Sequence, residues 1–430
     1  MAERARVEPN DNSAKRLCTA APSPPAGAIA ATTPPVLLGL RGLTNLGQTC
    51  FMNVGLQVLL HCPPVMHFFL GDGHNRFDCI SRSRSRRSPI GLEGPEGGTA
   101  GNAVRRPCLA CELDLLFTQC FSGKQLPFSP HSFLHAMWAN SDSVAGYEQQ
   151  DAHEFLIAAL SSIHSNIVAL QQPHASVTSP STRHPAANGY DLQRVFTGVL
   201  RSEVTCLRCR GKSTKFEEFH DVSLDLTRCP GGDSDASSAG EGDLPYYGTL
   251  DACLHSFTRS ERLSSAERCL CTRCGDLQDS AKQLSFHRLP NVLCFHLKRF
   301  KHSPLSKQPS TKIDASVRFP LHSLNMRPHT SAVTCNAQNA PEPQTASSEP
   351  SPDELYDLFG VAVHHGTMQN GHYTCYIRNQ ADWFHCDDAL VRDCLPCTHI
   401  PHTMLFPYPQ VRSVSGGGGY SHSEFVCVLR

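Results

Sequence analysis

Three short segments, far apart along a chain of 430 residues, together carry a cysteine, a histidine and a carboxylate. The first spans residues 45–51 (NLGQTCF) and the second residues 147–155 (YEQQDAHEF). The third combines residues 371–373 (GHY) with residues 383–388 (WFHCDD). A thiol, an imidazole and an acid are the minimum set for nucleophilic catalysis by cysteine. A fold that uses all three must bring both ends of the chain to one place.

Composition excludes several classes of protein. The formal net charge of −1 gives no bulk attraction to nucleic acid or to a membrane surface, so we expect neither direct sequence-specific nucleic-acid binding nor membrane association. No run of 18 or more residues is apolar, and the charged N-terminus does not resemble a signal peptide. Several of the 21 cysteines form Cys-x-x-Cys pairs, which in a reducing compartment usually bind zinc.

We expect one folded domain with irregular additions. Residues 1–36 are rich in Ala, Pro, Thr and Ser, which predicts a disordered tail, and residues 411–430 include four consecutive glycines, which predicts a flexible one. The domain itself covers residues 37–410, and loop-like composition predicts three insertions in it, near 81–106, 231–243 and 336–352. The first insertion carries an arginine cluster that we expect to be a solvated loop, although it could contact nucleic acid or an import receptor: Arg82, Arg84, Arg86 and Arg87.

Local periodicity predicts an α+β fold in which the helices come first. Apolar residues recur at helical spacing over residues 50–61 and again over residues 151–168. Later segments are short, rich in β-branched or aromatic residues, and bounded by turn residues, as strands are. These segments are residues 292–300, 356–363 and 373–377.

Cys50 has the surroundings of a nucleophile. It follows a Gly-Gln-Thr turn and begins an apolar helix, so its sulfur should lie near free backbone N–H groups and the positive end of the helix dipole, which favour a thiolate. The alternative is a buried structural cysteine, which is the ordinary fate of a free thiol. The catalytic interpretation of Cys50 becomes the favoured one only when the other two segments are considered with it.

The spacing of His372 and Asp387 predicts a shared hairpin. Two strands joined by a tight turn around residues 379–380 would place His372 directly opposite Asp387, on the same face. A carboxylate there would accept the imidazole proton and fix the tautomer that takes a proton from the thiol. A turn one residue longer would present Asp388 instead, so the choice depends on register.

These segments resemble the signature motifs of the ubiquitin-specific proteases, which are cysteine enzymes that remove ubiquitin from other proteins. The resemblance covers roughly residues 37–406. Residues 147–159 (YEQQDAHEFLIAA), 195–209 (VFTGVLRSEVTCLRC) and 294–300 (CFHLKRF) are most similar to the deubiquitinase subunit of the SAGA coactivator and its paralogues. The resemblance implies a papain-like fold with a helical thumb, a β palm and zinc-bearing β fingers.

The resemblance also implies roles for individual residues. Cys50 would be the nucleophile, His372 the general base and then acid, and Asp387 the third member, with Asp388 as the alternate. Asn45 matches the side chain that stabilises the oxyanion. Residues 150 and 151 match the substrate-binding positions, so that Gln150 and Asp151 would bind the ubiquitin tail. Asp151 could instead be only the N-cap of the helix that follows it.

Two groups of ligands suggest structural zinc. Cys206 and Cys209, with Cys271 and Cys274, resemble a four-thiolate site split between two β-turns, where zinc would join two long strands that have little core of their own. Cys269 is an alternative ligand in the second pair. A second, less certain site is implied by one imidazole and three thiols, namely His74, Cys79, Cys108 and Cys111.

The expected function is therefore hydrolysis of the isopeptide or peptide bond after the C-terminal glycine of ubiquitin. By analogy with the SAGA-type relatives, we expect monoubiquitinated histones as substrates, adaptor subunits of a SAGA-like module as partners, and a nuclear location, with the cytoplasm as a further one. Gln48 departs from the asparagine usual in the family, and residues 403–406 run into prolines where the family has its final strand. The alternative is accordingly a catalytically impaired ubiquitin-binding scaffold, and a third reading is a zinc-dependent nuclear adaptor.

Overall fold

Helices form the first half of the molecule, as the sequence predicts. The computed structural model describes residues 38–79, 106–171, 192–226, 248–301, 311–313, 317–334, 349–367, 370–394 and 421–429. Its helices are α1 (Cys50–Leu60), α2 (Pro63–Leu70), α3 (Leu109–Cys120), α4 (His131–Asn140), α5 (Ala152–Gln171), α6 (Leu192–Phe196) and α7 (Leu250–Thr258). We call helices α1 to α5 the thumb. Among the described residues, no helix combines the length and the apolarity needed to cross a bilayer.

Strands dominate the second half. In chain order they are β1 (Gly198–Cys206), β2 (Lys212–Phe219), β3 (Val222–Asp225), β4 (Glu261–Arg262), β5 (Cys269–Cys271), β6 (Asp276–Gln278), β7 (Ser280–Arg288), β8 (Val292–Lys298), β9 (Phe300–Lys301), β10 (Thr311–Lys312), β11 (Leu324–Asn325), β12 (Leu355–Gly366), β13 (Gly371–Asn379), β14 (Asp382–Asp387), β15 (Leu390–Cys394) and β16 (Ser421–Leu429). The predicted strand segments 292–300, 356–363 and 373–377 all fall on strands of this set.

The largest sheet, which we call the palm, has eight strands. Its order is β15-β14-β13-β12-β16-β8-β3, and β11 pairs with β12. All its pairings are antiparallel except that of β3 with β8. The central strand β12 is buried along most of its length, because helices cover one face of the sheet and a second apolar cluster covers the other.

A smaller sheet, the fingers, has the order β2-β1-β7-β4. Seven of the eight residues of β2 are exposed, so this sheet has little core of its own. The short hairpin of β5 and β6 stands beside it, and its register pairs Cys269 with Gln278 and Cys271 with Asp276. A sheet with so little apolar burial needs another source of stability at its tip.

Helix α1 lies between the other thumb helices and the palm, and every one of its eleven residues is buried. A Cβ at Gly55 would come within 2.8 Å of the Phe155 ring of α5, so the glycine allows the two helices to approach closely. The predicted apolar stripe of α5 is largely buried as well. Leu160 is partly buried, and the other five residues are at most 7% exposed: Phe155, Leu156, Ala159, Ile163 and Ile167. This packing fixes the start of α1, where Cys50 lies, against the palm.

The C-terminal segment corrects one prediction. Residues 411–430 are predicted above to be a flexible tail, but Ser421–Leu429 forms β16, which pairs with β12 on one side and with β8 on the other. The prediction failed because it gave more weight to the four glycines than to the apolar residues that follow them. Those residues form a strand that fills the position between β12 and β8 in the palm. The domain therefore extends beyond residue 410. The predicted tail 1–36, the insertion 231–243 and the arginine cluster lie outside the described residues.

Candidate active site

The thiol of Cys50 meets the imidazole of His372. Cys50 is the first residue of α1 and is 3% exposed, and a side-chain hydrogen bond joins it to His372 at the start of β13. Cys50 is thus buried, as the structural alternative also requires, but its neighbour is a group that can exchange a proton with it. Two segments more than 300 residues apart in the sequence converge on this contact.

The carboxylate of Asp387 completes the row. Nε2 of His372 lies 2.7 Å from Oδ1 of Asp387, which leaves Nδ1 to face the thiol. The predicted register is wrong, however, because the two-residue turn consists of Gln380 and Ala381. In the observed register Asp387 lies diagonally across from His372 rather than directly opposite. Diagonal neighbours lie on the same face, so a long imidazole still reaches the carboxylate.

Protonation of His372 is strongly favoured. The hydrogen bond to Cys50 is the largest cause, partial burial acts against it, and the hydrogen bond to Asp387 adds to it, so that the pKa of His372 is raised to about 9. A pKa near 9 keeps the imidazole of His372 protonated at neutral pH. Such a group can donate a proton to a leaving amine.

Asp388 has a different task from Asp387. Its Oδ2 accepts a hydrogen bond from Nδ2 of Asn45 at 2.8 Å, and its Oδ1 accepts one from Nδ2 of Asn53 at 2.7 Å. The backbone N–H of Leu43 also donates to the carbonyl of Asp388, at 2.8 Å. Asp388 thus fixes the segment that precedes Cys50, and the second amide hydrogen of Asn45 remains able to serve an oxyanion.

The backbone before Cys50 forms a tight loop around Asn45. Oδ1 of Asn45 accepts from the N–H groups of Gly47 at 3.0 Å and of Thr49 at 3.1 Å. This loop requires positive φ at two successive residues, +99° at Gly47 and +56° at Gln48. Glycine adopts such a conformation freely, whereas glutamine does so at a cost.

Replacing Gln48→Asn is expected to stabilise the loop. Asparagine is enriched several-fold over glutamine-like residues at positive φ, which corresponds to about 0.5 to 1 kcal/mol in the free energy of unfolding. Chemical denaturation of the two proteins measures the difference. Gln125→Asn, at an exposed position whose φ is not positive, is the matched control and should leave stability unchanged. A loss of stability at residue 48 would contradict the loop geometry.

Asp151 and Gln150 lie just before α5, and both are partly exposed. Oδ1 of Asp151 accepts a hydrogen bond from the N–H of Glu154 at 2.8 Å, so Asp151 caps the helix as the structural alternative expects. A carboxylate has four acceptor positions, and the cap uses one of them. Asp151 therefore retains the capacity to bind a ligand at the same time.

Sequence reasoning missed two residues of the site. Asn53 lies within a helix stripe that reads as buried, and nothing local shows that its amide holds Asp388. Gln149 binds the backbone of Gly371, with its Nε2 2.8 Å from the carbonyl and its Oε1 3.0 Å from the N–H. The signal for Gln149 in the sequence was the pair of glutamines before Asp151. We interpreted that pair as part of the segment that binds the ubiquitin tail, and not as a contact to the hairpin that carries His372.

A group of four thiols joins the fingers to the β5–β6 hairpin. Sγ of Cys206 lies 3.9 Å from Sγ of Cys274, and Sγ of Cys209 lies 3.5 Å from Sγ of Cys271. Four sulfurs bound tetrahedrally to zinc lie about 3.8 Å apart, so the donor set and the spacing suit such an ion. Cys269, the alternative ligand, instead contacts the Glu267 carbonyl at 3.7 Å.

A second group of possible metal ligands is fully buried in the thumb. Nε2 of His74 lies 3.2 Å from Sγ of Cys111 and 3.7 Å from Sγ of Cys108, and Cys79 completes the set within 4.8 Å. The predicted insertion 81–106 lies between the two halves of this group in the sequence and does not prevent them from meeting. One imidazole and three thiols could also hold a metal ion.

Comparison with known proteins agrees with this geometry. The sequence profile of the family "Ubiquitin carboxyl-terminal hydrolase" matches residues 41–406. Human ubiquitin carboxyl-terminal hydrolase 22 is 39% identical over 363 residues, which are 82% of this chain and 62% of the relative. Ubiquitin C-terminal hydrolase 22 of Arabidopsis thaliana is 37% identical over 372 residues, which are 83% of this chain and 61% of the relative. The chain thus spans less than two thirds of these relatives.

Solved structures match as well. The Ubp8/Sgf11/Sus1/Sgf73 module of SAGA bound to monoubiquitin contains a chain with a TM-score of 0.62 and 25% identity, and the match covers 92% of this chain and 70% of that one. The same module bound to ubiquitin aldehyde gives a TM-score of 0.60 at 25% identity, with coverage of 91% and 69%. The expected fold of helical thumb, β palm and β fingers is confirmed. The protein belongs to the ubiquitin carboxyl-terminal hydrolase family, as a ubiquitin-specific protease that is similar to the SAGA-type members.

Proposed function

We propose that this protein is a deubiquitinase that hydrolyses the isopeptide or peptide bond after the C-terminal glycine of ubiquitin. The observation that carries the proposal is the row of Cys50, His372 and Asp387, with Asn45 beside it. Cysteine, imidazole and carboxylate in this order form the arrangement that cysteine proteases use. The named activity of the relatives supports the same reaction.

The first half of the reaction forms a thioester. Sγ of Cys50 attacks the carbonyl carbon of the terminal glycine, and the charge that develops on the carbonyl oxygen is stabilised by the amide of Asn45 and by backbone N–H groups at the start of α1. When this intermediate collapses, the C–N bond breaks. The imidazolium of His372 gives its proton to the departing lysine amine, and ubiquitin remains bound to Cys50 through its carbonyl carbon.

The second half releases ubiquitin. Neutral His372 takes a proton from a water molecule, whose oxygen attacks the thioester carbon. The C–S bond breaks and its electron pair returns to Sγ. Ubiquitin leaves as a carboxylic acid that ionises in water, and protonated His372 lies beside Cys50 as at the start. Throughout the cycle Asp387 holds the ring by its Nε2, so that Nδ1 stays directed at the reacting atoms.

The ubiquitin tail ends in Arg-Gly-Gly, whose backbone N–H groups need acceptors once they leave water. Gln150 and Asp151 immediately precede α5, and the neighbouring Gln149 contacts Gly371 at the start of β13. Asp151 keeps free acceptor positions besides the one that caps the helix. We assign the tail to this segment.

A ubiquitin whose C-terminus carries an electrophile tests the proposal directly. The active chain should form a covalent adduct at Cys50, which intact-mass spectrometry detects as the added mass of one ubiquitin. Binding without adduct would instead support the alternative of a ubiquitin-binding scaffold, which the unusual Gln48 motivates. Neither binding nor adduct would favour the adaptor reading. The assembled row of side chains is why we place the enzyme first.

The alkaline limb of activity should report His372. Since the pKa of His372 is raised to about 9, above the ordinary 6.5, the protonated ring is retained in the folded protein until the pH approaches 9. Its stabilising contribution is complete below about 6.5 and is lost as the pH rises through about 9. We expect kcat/KM for a fluorogenic ubiquitin amide to fall over that upper range. An alkaline limb near 6.5, the ordinary pKa of histidine, would contradict the raised pKa of His372.

The four thiols that join the fingers to the β5–β6 hairpin are proposed to hold structural zinc; they belong to Cys206, Cys209, Cys271 and Cys274. Zinc bound there links β1 and the β5–β6 hairpin, and so replaces the apolar core that this sheet lacks. His74, Cys79, Cys108 and Cys111 are proposed as a second structural site of the same kind. Neither site takes part in the chemical step.

Metal analysis of the purified chain should give about two zinc ions per chain if both sites are filled. Cys209→Ser is expected to remove one of them, because it takes away one of four ligands, and to lower the midpoint of thermal unfolding. Cys269→Ser is the matched control and should retain the full zinc content, since Cys269 contacts the Glu267 carbonyl instead. Equal zinc content in both variants would contradict the ligand assignment.

The SAGA-type similarity extends the proposal to partners and substrate. The solved neighbours are bound to Sgf11, Sus1 and Sgf73, so we propose that adaptor subunits of this kind bind and activate the chain in the nucleus, with monoubiquitinated histones as substrates. Turnover of monoubiquitinated nucleosomes, measured with and without such adaptors, tests this extension. If adaptors leave the activity on ubiquitin amides unchanged, the proposal is limited to hydrolysis after the C-terminal glycine of ubiquitin, without adaptor activation.

A further inference from the structure

The turn between β12 and β13 is held at its end by a side chain from the thumb segment. Gly371 is the first residue of β13 after this turn and immediately precedes His372. Nε2 of Gln149 donates to the carbonyl of Gly371 at 2.8 Å, and the N–H of Gly371 donates to Oε1 of Gln149 at 3.0 Å. One carboxamide thus satisfies both the donor and the acceptor of a single backbone residue, as a neighbouring strand would.

Gln149 takes the place of a strand that ends too early. The ladder between β13 and β14 ends at the pair Cys375–Cys386, so within the described residues β13 continues toward Gly371 with only β12 beside it. The backbone groups of Gly371 point to the side that β14 has left. A strand end with one neighbour frays readily, and His372 lies on this end.

The opposite side of the turn is already filled. A Cβ at Gly371 would come within 1.9 Å of Nε2 of His364, so the imidazole of His364 packs directly on the glycine. Lys312 donates to Nδ1 of His364 at 2.9 Å and to the carbonyl of Gly366 at 3.2 Å, and so fixes that ring and the start of the turn. Burial first, and then the Lys312 ammonium, lower the pKa of His364 to about 4, so the ring is a neutral acceptor.

We propose that Gln149 is a positioning residue for His372. By pairing with Gly371, it fixes the end of β13 so that the imidazole stands between Cys50 and Asp387. A second, longer contact supports the same connection, since the N–H of Ala152 lies 3.4 Å from the hydroxyl of Tyr373. The inference rests on the proposed deubiquitinase function. It assigns to the first glutamine of the pair a role that differs from ligand binding by Gln150 and Asp151.

Two variants of Gln149 test the proposal. In Gln149→Ala, loss of two hydrogen bonds of ordinary strength should lower kcat for a fluorogenic ubiquitin amide by about 10- to 100-fold, with KM changed by less than about threefold. Hydrogen exchange at the Gly371 amide should become at least about tenfold faster. Glu148→Ala, at the exposed neighbouring residue, is the matched control and should change neither.

Gln149→Glu gives a readout that a general loss of stability would not produce. Ionised glutamate cannot donate to the Gly371 carbonyl, whereas a protonated carboxyl group can both donate and accept, as the carboxamide does. The rate of this variant relative to the wild type should therefore rise by about tenfold as the pH is lowered toward the carboxyl pKa, near 4.3 in its ordinary state. Gln149→Ala has no such group, and its relative rate should stay constant.

Each outcome has a defined meaning. Unchanged kcat in Gln149→Ala despite faster exchange at Gly371 would overturn the proposal, and so would a lower kcat without faster exchange. A rate of Gln149→Glu, relative to the wild type, that does not change with pH would also contradict the proposal. This test can still be made if Gln149→Ala does not fold. If the wild-type chain does not react with ubiquitin amide at all, the proposed function fails, and the exchange measurement still decides whether Gln149 holds Gly371.

Discussion

Cys50→Ala is expected to lower hydrolysis of ubiquitin conjugates by at least about 10⁴-fold and to leave ubiquitin binding nearly unchanged. The substitution removes only Sγ at the first position of α1, and alanine is the best helix former, so the helix should persist. Without sulfur there is no atom to form the thioester. His372 and Asn45 remain in place but have no nucleophile to assist.

Initial rates on a fluorogenic ubiquitin amide measure the loss, and fluorescence anisotropy of labelled ubiquitin measures the retained affinity. The matched control is Cys120→Ala, because Cys120 is also a buried free thiol but ends α3. This control should keep full activity per folded molecule. Residual hydrolysis above about one per cent in Cys50→Ala would show that another group performs the attack.

Asp387→Asn is expected to lower kcat by about 10³-fold. An asparagine at this position cannot carry the charge that supports the imidazolium, and its NH₂ group can force the ring into the wrong tautomer. The hydrogen bond between Asp387 and His372 contributes to the raised pKa of His372, so the alkaline limb of kcat/KM should move to lower pH. The pH dependence of the rate therefore reports the same contact as the rate itself.

Asp388→Asn is the matched comparison, because it also replaces one carboxylate oxygen by an NH₂ group, at the adjacent residue. Asp388 holds the amides of Asn45 and Asn53, so we expect a loss of about 10- to 100-fold, through weaker oxyanion stabilisation. The alkaline limb should stay in place because His372 is not its partner. A larger loss in Asp388→Asn, together with a shifted limb, would reverse the assignment of the two aspartates.

Local patterns predicted much of the fold. The helical spacing at residues 50–61 and 151–168 corresponds to α1 and α5, and the β-branched runs correspond to strands of the palm. The strand β16 was missed because its apolar run follows four glycines and because its partners β12 and β8 lie far away in the sequence. The segment itself carries no local signal of which distant strands it pairs with.

The hairpin shows the same limit at the scale of one turn. Its two strands were predicted, but the turn lies one residue further along the chain than predicted. In this turn Gln380 adopts a φ of +58°, a conformation that a glutamine in the sequence does not indicate. The shift moves Asp387 from directly opposite His372 to a diagonal position. Contact survives because both positions lie on one face, a consequence of the two-residue period of a strand.

Local sequence shows which groups are available: a thiol at the start of an apolar helix, an imidazole and two adjacent carboxylates on a hairpin, and two sets of residues that could hold a metal ion. The use of these groups depends on the tertiary fold, which places Asp387 on the imidazole, Asp388 on the side-chain amide of Asn45, and Gln149 on Gly371. Residue types and local periodicity follow from nearest neighbours, whereas side-chain hydrogen bonds form over about 3 Å and depend on register and packing across the whole chain.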